Sequence, residues 1–136
     1  MNDILESRVE QLVARAVEAA LTDRFDVRRS RIGRDLVIEI ELAGPEQHRL
    51  ALRVQEGGVL LDVDSSQAME FAAADERDMS DLEHILQAYC LGELEVQVRL
   101  RDGTYHALRT SAAQLSFPDS ACGLFRSGRT EWRRIG

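Results

Sequence analysis

The chain has 136 residues, 44% of them hydrophobic and 30% charged, with a formal net charge of −7. That mixture suits a globular protein and excludes the charge-rich, apolar-poor composition of a disordered chain. The negative balance opposes phosphate neutralisation, on which nucleic-acid affinity rests, so the expectation is no nucleic-acid partner.

At this length one hydrophobic core is enough. The reading is a single α+β domain over 1–136, with a less regular tail over 117–136. No stretch approaches the roughly 20 apolar residues that cross a bilayer. The start Met1-Asn2-Asp3 lacks the basic region of a signal peptide, so a cytoplasmic location without a membrane partner is expected. Cys90 and Cys122 are too few for a disulfide scaffold and are expected to be small buried thiols. All 17 basic residues are arginine, which points to GC-rich coding and a bacterial source rather than to a folding requirement.

From Asp3 to about Leu21 the apolar residues Leu5, Val9, Leu12, Val13, Ala16, Val17 and Ala20 recur at three and four, the spacing of an amphipathic helix. Asp3 and Glu6 have the spacing of a capping box. The face with Arg8, Glu10, Arg15 and Glu18 is expected in water. After Thr22 the period drops to two. Phe25 and Val27 begin a strand, Gly33-Arg34-Asp35 turns it, and Leu36, Ile38, Ile40 and Leu42 alternate with Glu39 and Glu41. Gly44-Pro45-Glu46 breaks that strand. Leu50, Leu52 and Val54 then alternate with Arg49, Arg53 and Gln55, and Glu56-Gly57-Gly58 returns the chain into Val59, Leu61 and Val63.

A polar, alanine-rich stretch from Ser65 to Asp78 has room for a short strand through Met69 and Phe71. Ser80 and Glu83 have capping-box spacing ahead of a helix carrying Leu82, Ile85, Leu86, Tyr89 and Cys90, with Gly92 as its left-handed terminator. Leu94, Val96, Val98 and Leu100 alternate next, and Asp102-Gly103 signals a hairpin. A two-residue turn there sets Leu100 opposite Tyr105, Val98 opposite Ala107 and His106 opposite Arg99. Ser111 to Leu115 reads as a helical turn, Phe117-Pro118-Asp119 as a break, and Gly123 to Ile135 as a hairpin around Ser127-Gly128. The order is N-terminal helix, antiparallel meander, second helix, antiparallel hairpin and tail, with both helices against one face of one sheet.

Chemistry is thinly signalled. His48, His84 and His106 lie on different predicted elements without zinc-motif spacing, and no glycine-rich phosphate loop occurs, so no catalytic residue, metal or cofactor is expected. An EF-hand counted from Asp62 would place Gln67 where glycine is needed and Ala73 where glutamate is needed, which excludes that motif. Charge is the remaining signal. Asp62, Asp64, Glu70, Asp75, Glu76, Asp78, Asp81 and Glu83 face a single basic residue, Arg77, between them. Arginines instead crowd Arg24–Arg34 and Arg126–Arg134. The acidic segment is the candidate partner-binding face, toward a basic protein such as a toxin domain or secreted effector.

Three resemblances accompany this reading. The string Leu60-Leu61-Asp62-Val63-Asp64-Ser65-Ser66 resembles the first motif of haloacid-dehalogenase phosphatases, whose two aspartates act as nucleophile and acid with magnesium; here it sits in a hairpin of a short antiparallel domain, where that family needs a parallel sheet. The stretch Ser80–Thr110, a capped helix followed by a hairpin, looks like what recurs in small immunity proteins of bacterial polymorphic toxins, which implies a cytoplasmic domain that binds and covers a cognate toxin. The whole order is similar to type III secretion chaperones. Those usually close with a helix, whereas Pro118, Gly123 and Gly128 interrupt the end of this chain.

Overall fold

Alternation over Phe25–Ala72 gives each strand one apolar face, and pairing the strands in register aligns those faces into continuous rows. The computed structural model describes residues 3–20, 24–44, 47–65, 68–117 and 129–135. In it β1 (Phe25–Ile32), β2 (Asp35–Leu42), β3 (His48–Gln55), β4 (Gly58–Val63) and β5 (Ala68–Ala72) form an antiparallel meander in sequential order. The short strand expected around Met69 and Phe71 is β5. Ile38, Leu52, Leu61 and Met69 make one row across the sheet, and Ile40, Leu50 and Val63 make another. Every one of these side chains is buried. At about 1.5–3 kcal/mol per fully buried large apolar side chain, these rows outweigh the exposed ion pairs, each worth about 0–1 kcal/mol.

Two helices cover that apolar face. Helix α1 (Asp3–Ala19) buries Val9, Leu12, Val13 and Ala16, and α2 (Glu76–Leu91) buries Met79, Leu82, Ile85, Leu86 and Tyr89. Arg8 pairs with Glu76 at 2.7 Å and Arg15 with Glu83 at 3.6 Å. Both pairs advance together along the two helices, so α1 and α2 run side by side in the same direction. Glu6 pairs with Arg31 and Glu10 with Arg29, which sets α1 antiparallel to β1. The helix face expected in water is therefore partly engaged, and Glu6 serves β1 rather than a capping box. The Tyr89 hydroxyl donates to the Ile40 carbonyl at 3.0 Å, giving the buried phenol its partner.

Helix α2 starts one turn earlier than Ser80. Asp75 is its N-cap and accepts from the Arg77 and Asp78 amides, so the cap that forms is an aspartate upstream of the Ser80–Glu83 pattern. Gly92 ends the helix at φ 72°, as its position indicates.

The molecule is α+β with two antiparallel sheets rather than one. β6 (Leu94–Arg99), β7 (Tyr105–Arg109), β8 (Gln114–Ser116) and β9 (Thr130–Ile135) pair in the order β8-β7-β6-β9. Leu94, Val96, Val98, Leu108, Phe117 and Ile135 join the same buried core as the meander and helices. The hairpin register differs from the two-residue expectation. Val98 lies opposite Tyr105 and Gln97 opposite Ala107, with a register shift between Gln97 and Val98. Arg99 and Gly103 close the turn by a 2.8 Å backbone bond, so Leu100 enters the loop and is 47% exposed. His106 is thereby displaced from Arg99 to the irregularity, and His106 O accepts the Phe117 amide. Where a helical turn was expected over Ser111–Leu115, Gln114–Ser116 pairs with β7. The hairpin proposed around Ser127-Gly128, the breaks at Pro45-Glu46 and Pro118-Asp119, and Cys122 lie outside the described residues.

Two outcomes test this packing. A Cβ at Gly58 would stand 2.9 Å from the Phe71 carbonyl oxygen, a backbone atom that cannot swing aside. Gly58→Ala is expected to lower stability by about 1–3 kcal/mol, read from the urea midpoint. Burial pushes the Cys90 thiol from 9.0 up to about 11, and burial, reinforced by the charge of Asp64, raises the Tyr89 phenol as well. Both groups hold their protons more tightly folded than unfolded. The stability that Cys90 contributes is therefore complete below pH 9.0 and lost as pH rises through about 11. Cys90→Ala should flatten the fall of the urea midpoint across that window.

Candidate functional site

The end of the meander where the β2–β3 connection meets the β4–β5 turn gathers the densest polar constellation among the described residues. Asp64 and Ser65 follow β4 in left-handed conformation, at φ 56° and 58°. Aspartate tolerates that region because its short carboxylate can bond to nearby backbone. Here it does so with Arg49: the Asp64 amide donates to Arg49 O at 2.8 Å, and the Arg49 amide donates to Asp64 Oδ1 at 2.8 Å. The turn residue thus extends the β3–β4 ladder past its last pair, Leu50–Val63.

The second oxygen joins distant elements. Asp64 Oδ2 lies 2.8 Å from His48 Nδ1 and accepts from the Tyr105 hydroxyl at 2.7 Å. The His48 and Asp64 side chains are only 15% and 19% exposed. Tyr105 belongs to β7, so this carboxylate ties the second sheet to the first. Beside it opens a cleft of about 490 Å³ lined by Asp26, Glu41, Arg49 and Ser65 among others. Arg49 pairs with Glu39 at 3.3 Å and donates to Ser65 Oγ at 2.7 Å. Asp26 and Glu41 both face Arg28, at 3.0 and 3.9 Å. An aspartate beside an imidazole is the orienting half of an acid–base pair. In this case both carboxylate oxygens already accept hydrogen bonds from structural donors, and the chemistry the arrangement performs is clamping.

The eight acids of the candidate binding face are not brought onto one surface. Asp62 and Glu70 project from β4 and β5 on the sheet side away from the helices, since Leu61, Val63, Met69 and Phe71 take the other parity. Asp64 departs from that outward parity because its left-handed turn swings it toward His48 and Tyr105. The remaining five lie on or beside α2, in the other layer. Asp75 caps the helix, Asp78 Oδ2 accepts the Ala72 amide at 2.8 Å, and Asp81 is half-buried on α2. Glu76 and Glu83 pair with Arg8 and Arg15. The Arg8 guanidinium holds the Glu76 carboxyl below the usual glutamate range.

A second constellation lies on the outward face of the second sheet. Trp132 of β9 stands opposite Gln97 of β6, and the Arg109 guanidinium of β7 lies 4.0 Å from the centre of its ring. Arg109 also grips Glu95 at 3.1 Å, holding that carboxyl below its ordinary range. The sequence reading picked out neither constellation. The partners of Asp64 are 15, 16 and 41 residues away, and those of Trp132 lie on other strands. The one local cue was an Asp-Ser pair directly after a strand, a favourable turn composition.

Among the described residues no three His, Cys, Asp or Glu side chains are grouped to hold a metal ion, and no helix is long and apolar enough to cross a membrane. Comparison with known proteins found no family model, no curated protein and no solved structure that matches this chain.

The clamp is testable by removing its parts. Asp64→Ala strands three donors and places alanine in a left-handed backbone, so a loss of about 2–4 kcal/mol is expected. Tyr105→Phe should cost only about 1 kcal/mol. Urea unfolding of both variants checks the order; equal losses would mean that Tyr105 alone carries the tie between the sheets.

Proposed function

We propose that this chain is a non-catalytic, cytoplasmic protein-binding domain, and in first place an immunity protein that binds and neutralises a cognate bacterial toxin. The observation that carries the reading is the acidic corner between β5 and α2. Asp75 and Glu76 are exposed there, with Asp78 beside them and Glu76 held by Arg8, and the backbone bond from the Asp75 amide to Ala72 O holds the corner closed. Carboxylates at a helix N-terminus are favoured by the helix dipole even without a partner. Their exposure leaves them able to meet a basic surface, where such charges accelerate encounter and select among partners.

A type III secretion chaperone ranks second. Thr130–Ile135 form strand β9 on the edge of the second sheet, where the resemblance calls for a helix. A small hydrolase using an acid pair assembled in space, at residues the sequence does not single out, ranks third; Asp64 is already committed to Arg49, His48 and Tyr105.

Tagged pull-down from the source organism is expected to recover one stoichiometric basic protein. Affinity for it should fall about tenfold or more, the equivalent of 1.4 kcal/mol, when Asp75→Asn, Asp78→Asn and Asp81→Asn are combined. Asparagine keeps the capping bond at position 75 while removing charge, so the loss reads electrostatics rather than unfolding. Unchanged affinity would move the interface off this corner. Phosphoester hydrolysis abolished by Asp62→Asn would instead install the enzymatic reading.

A further inference from the structure

The outward face of the second sheet has a sign opposite to that of the whole molecule. Register places Arg134, Glu95, Arg109 and Gln114 in one row across β9, β6, β7 and β8, and Trp132, Gln97, Ala107 and Ser116 in the next. Arg99 follows on the same side of β6. Three arginines accompany Glu95 here, and Arg99 is paired at 3.7 Å with Asp102 of the β6–β7 turn, which leaves an excess of one arginine on a chain whose net charge is −7. The balance is uneven within the rows. Arg109 is spent on Glu95 and Trp132, whereas Arg134 is exposed and makes no salt bridge among the described residues. Arg109 holds the indole in place by stacking and is itself held by two hydrogen bonds to Glu95, so the aromatic group is ordered before any partner arrives. Ala107 is only 3% exposed although it faces away from the shared core, as expected beneath a large side chain lying across the strands.

We propose that this face, centred on Trp132, docks an acidic peptide segment of a protein partner. Tryptophan and arginine are the residues that dominate interface energetics when ordered and partly desolvated. Gln97, Gln114 and Ser116 supply amide and hydroxyl groups around them, suited to an extended backbone and carboxylate side chains. An acidic segment is selected by charge: Arg134 is exposed and shares Glu95 with Arg109, so one carboxylate stands against two arginines, and a basic segment would meet an arginine excess. The proposal concerns a different face from the β5–α2 corner and stands or falls independently of it.

Trp132 is the only tryptophan in the chain, so its fluorescence reports this face alone. Titration of the full chain with poly-L-glutamate at low salt is expected to give a saturable change in emission that weakens as salt is added. Arg134→Glu should weaken it about tenfold or more. Arg34→Glu, the same charge change in the exposed β1–β2 turn, should leave it nearly unchanged. Absence of a saturable change, equal weakening by both variants, or a response to oligothymidylate in place of poly-L-glutamate would each overturn the proposal.

Discussion

The constraint on which the structure depends is that a five-stranded meander with one continuous apolar face cannot leave that face in water. Ile38, Ile40, Leu50, Leu52, Leu61 and Val63 form a surface too large for the strands to shield from one another. Two helices and a second sheet are packed onto a single core to cover it. Helices α1 and α2 run parallel to each other, and both present their apolar stripes to that core. Their charged flanks then meet, and the Arg8–Glu76 and Arg15–Glu83 pairs record the alignment. Such exposed pairs fix register more than they add stability.

Two polar contacts position the covering layers over that core. The Tyr89 hydroxyl on the Ile40 carbonyl docks α2 at one place over β2. The Asp64 carboxylate joins β3, the β4–β5 turn and β7 through Arg49, His48 and Tyr105. Apolar burial is non-directional and would tolerate small slides of one layer over another. Hydrogen bonds with their narrow geometry remove that freedom. The left-handed backbone of Asp64 is retained because four hydrogen bonds to the same residue require it there.

Surface charge reads differently in three dimensions than along the chain. The away-facing side of the meander is a lattice of opposite charges, with Arg53 on Asp35, Arg49 on Glu39 and Arg28 on Asp26. The arginines of β1 are spent on α1 and β2. What stays only partly compensated is smaller and more local: an acidic corner between β5 and α2, where Glu76 meets Arg8, and an arginine-rich face around Trp132, where Arg109 meets Glu95. Polarity along the chain thus becomes two separate patches of opposite sign on different elements.

The strands of the meander, the two helices, the Gly92 terminator and the α+β class were legible from the sequence, because each rests on contacts within a few residues: alternation, helical spacing and turn glycines. The start of α2 was misplaced by a turn since two capping residues, Asp75 and Ser80, compete locally and only the fold, by closing Asp75 onto Ala72, selects between them. The hairpin register and the division into two sheets were not legible. A one-residue irregularity at His106 and the return of β9 to β6 cost little locally, and are decided by which side chains the shared core accepts. The acidic segment was visible as composition. Its partition between the two layers, and the withdrawal of Asp64 into a clamp with Tyr105, came only from tertiary structure, because charge along a chain carries no information about which residues 41 positions away will arrive beside it.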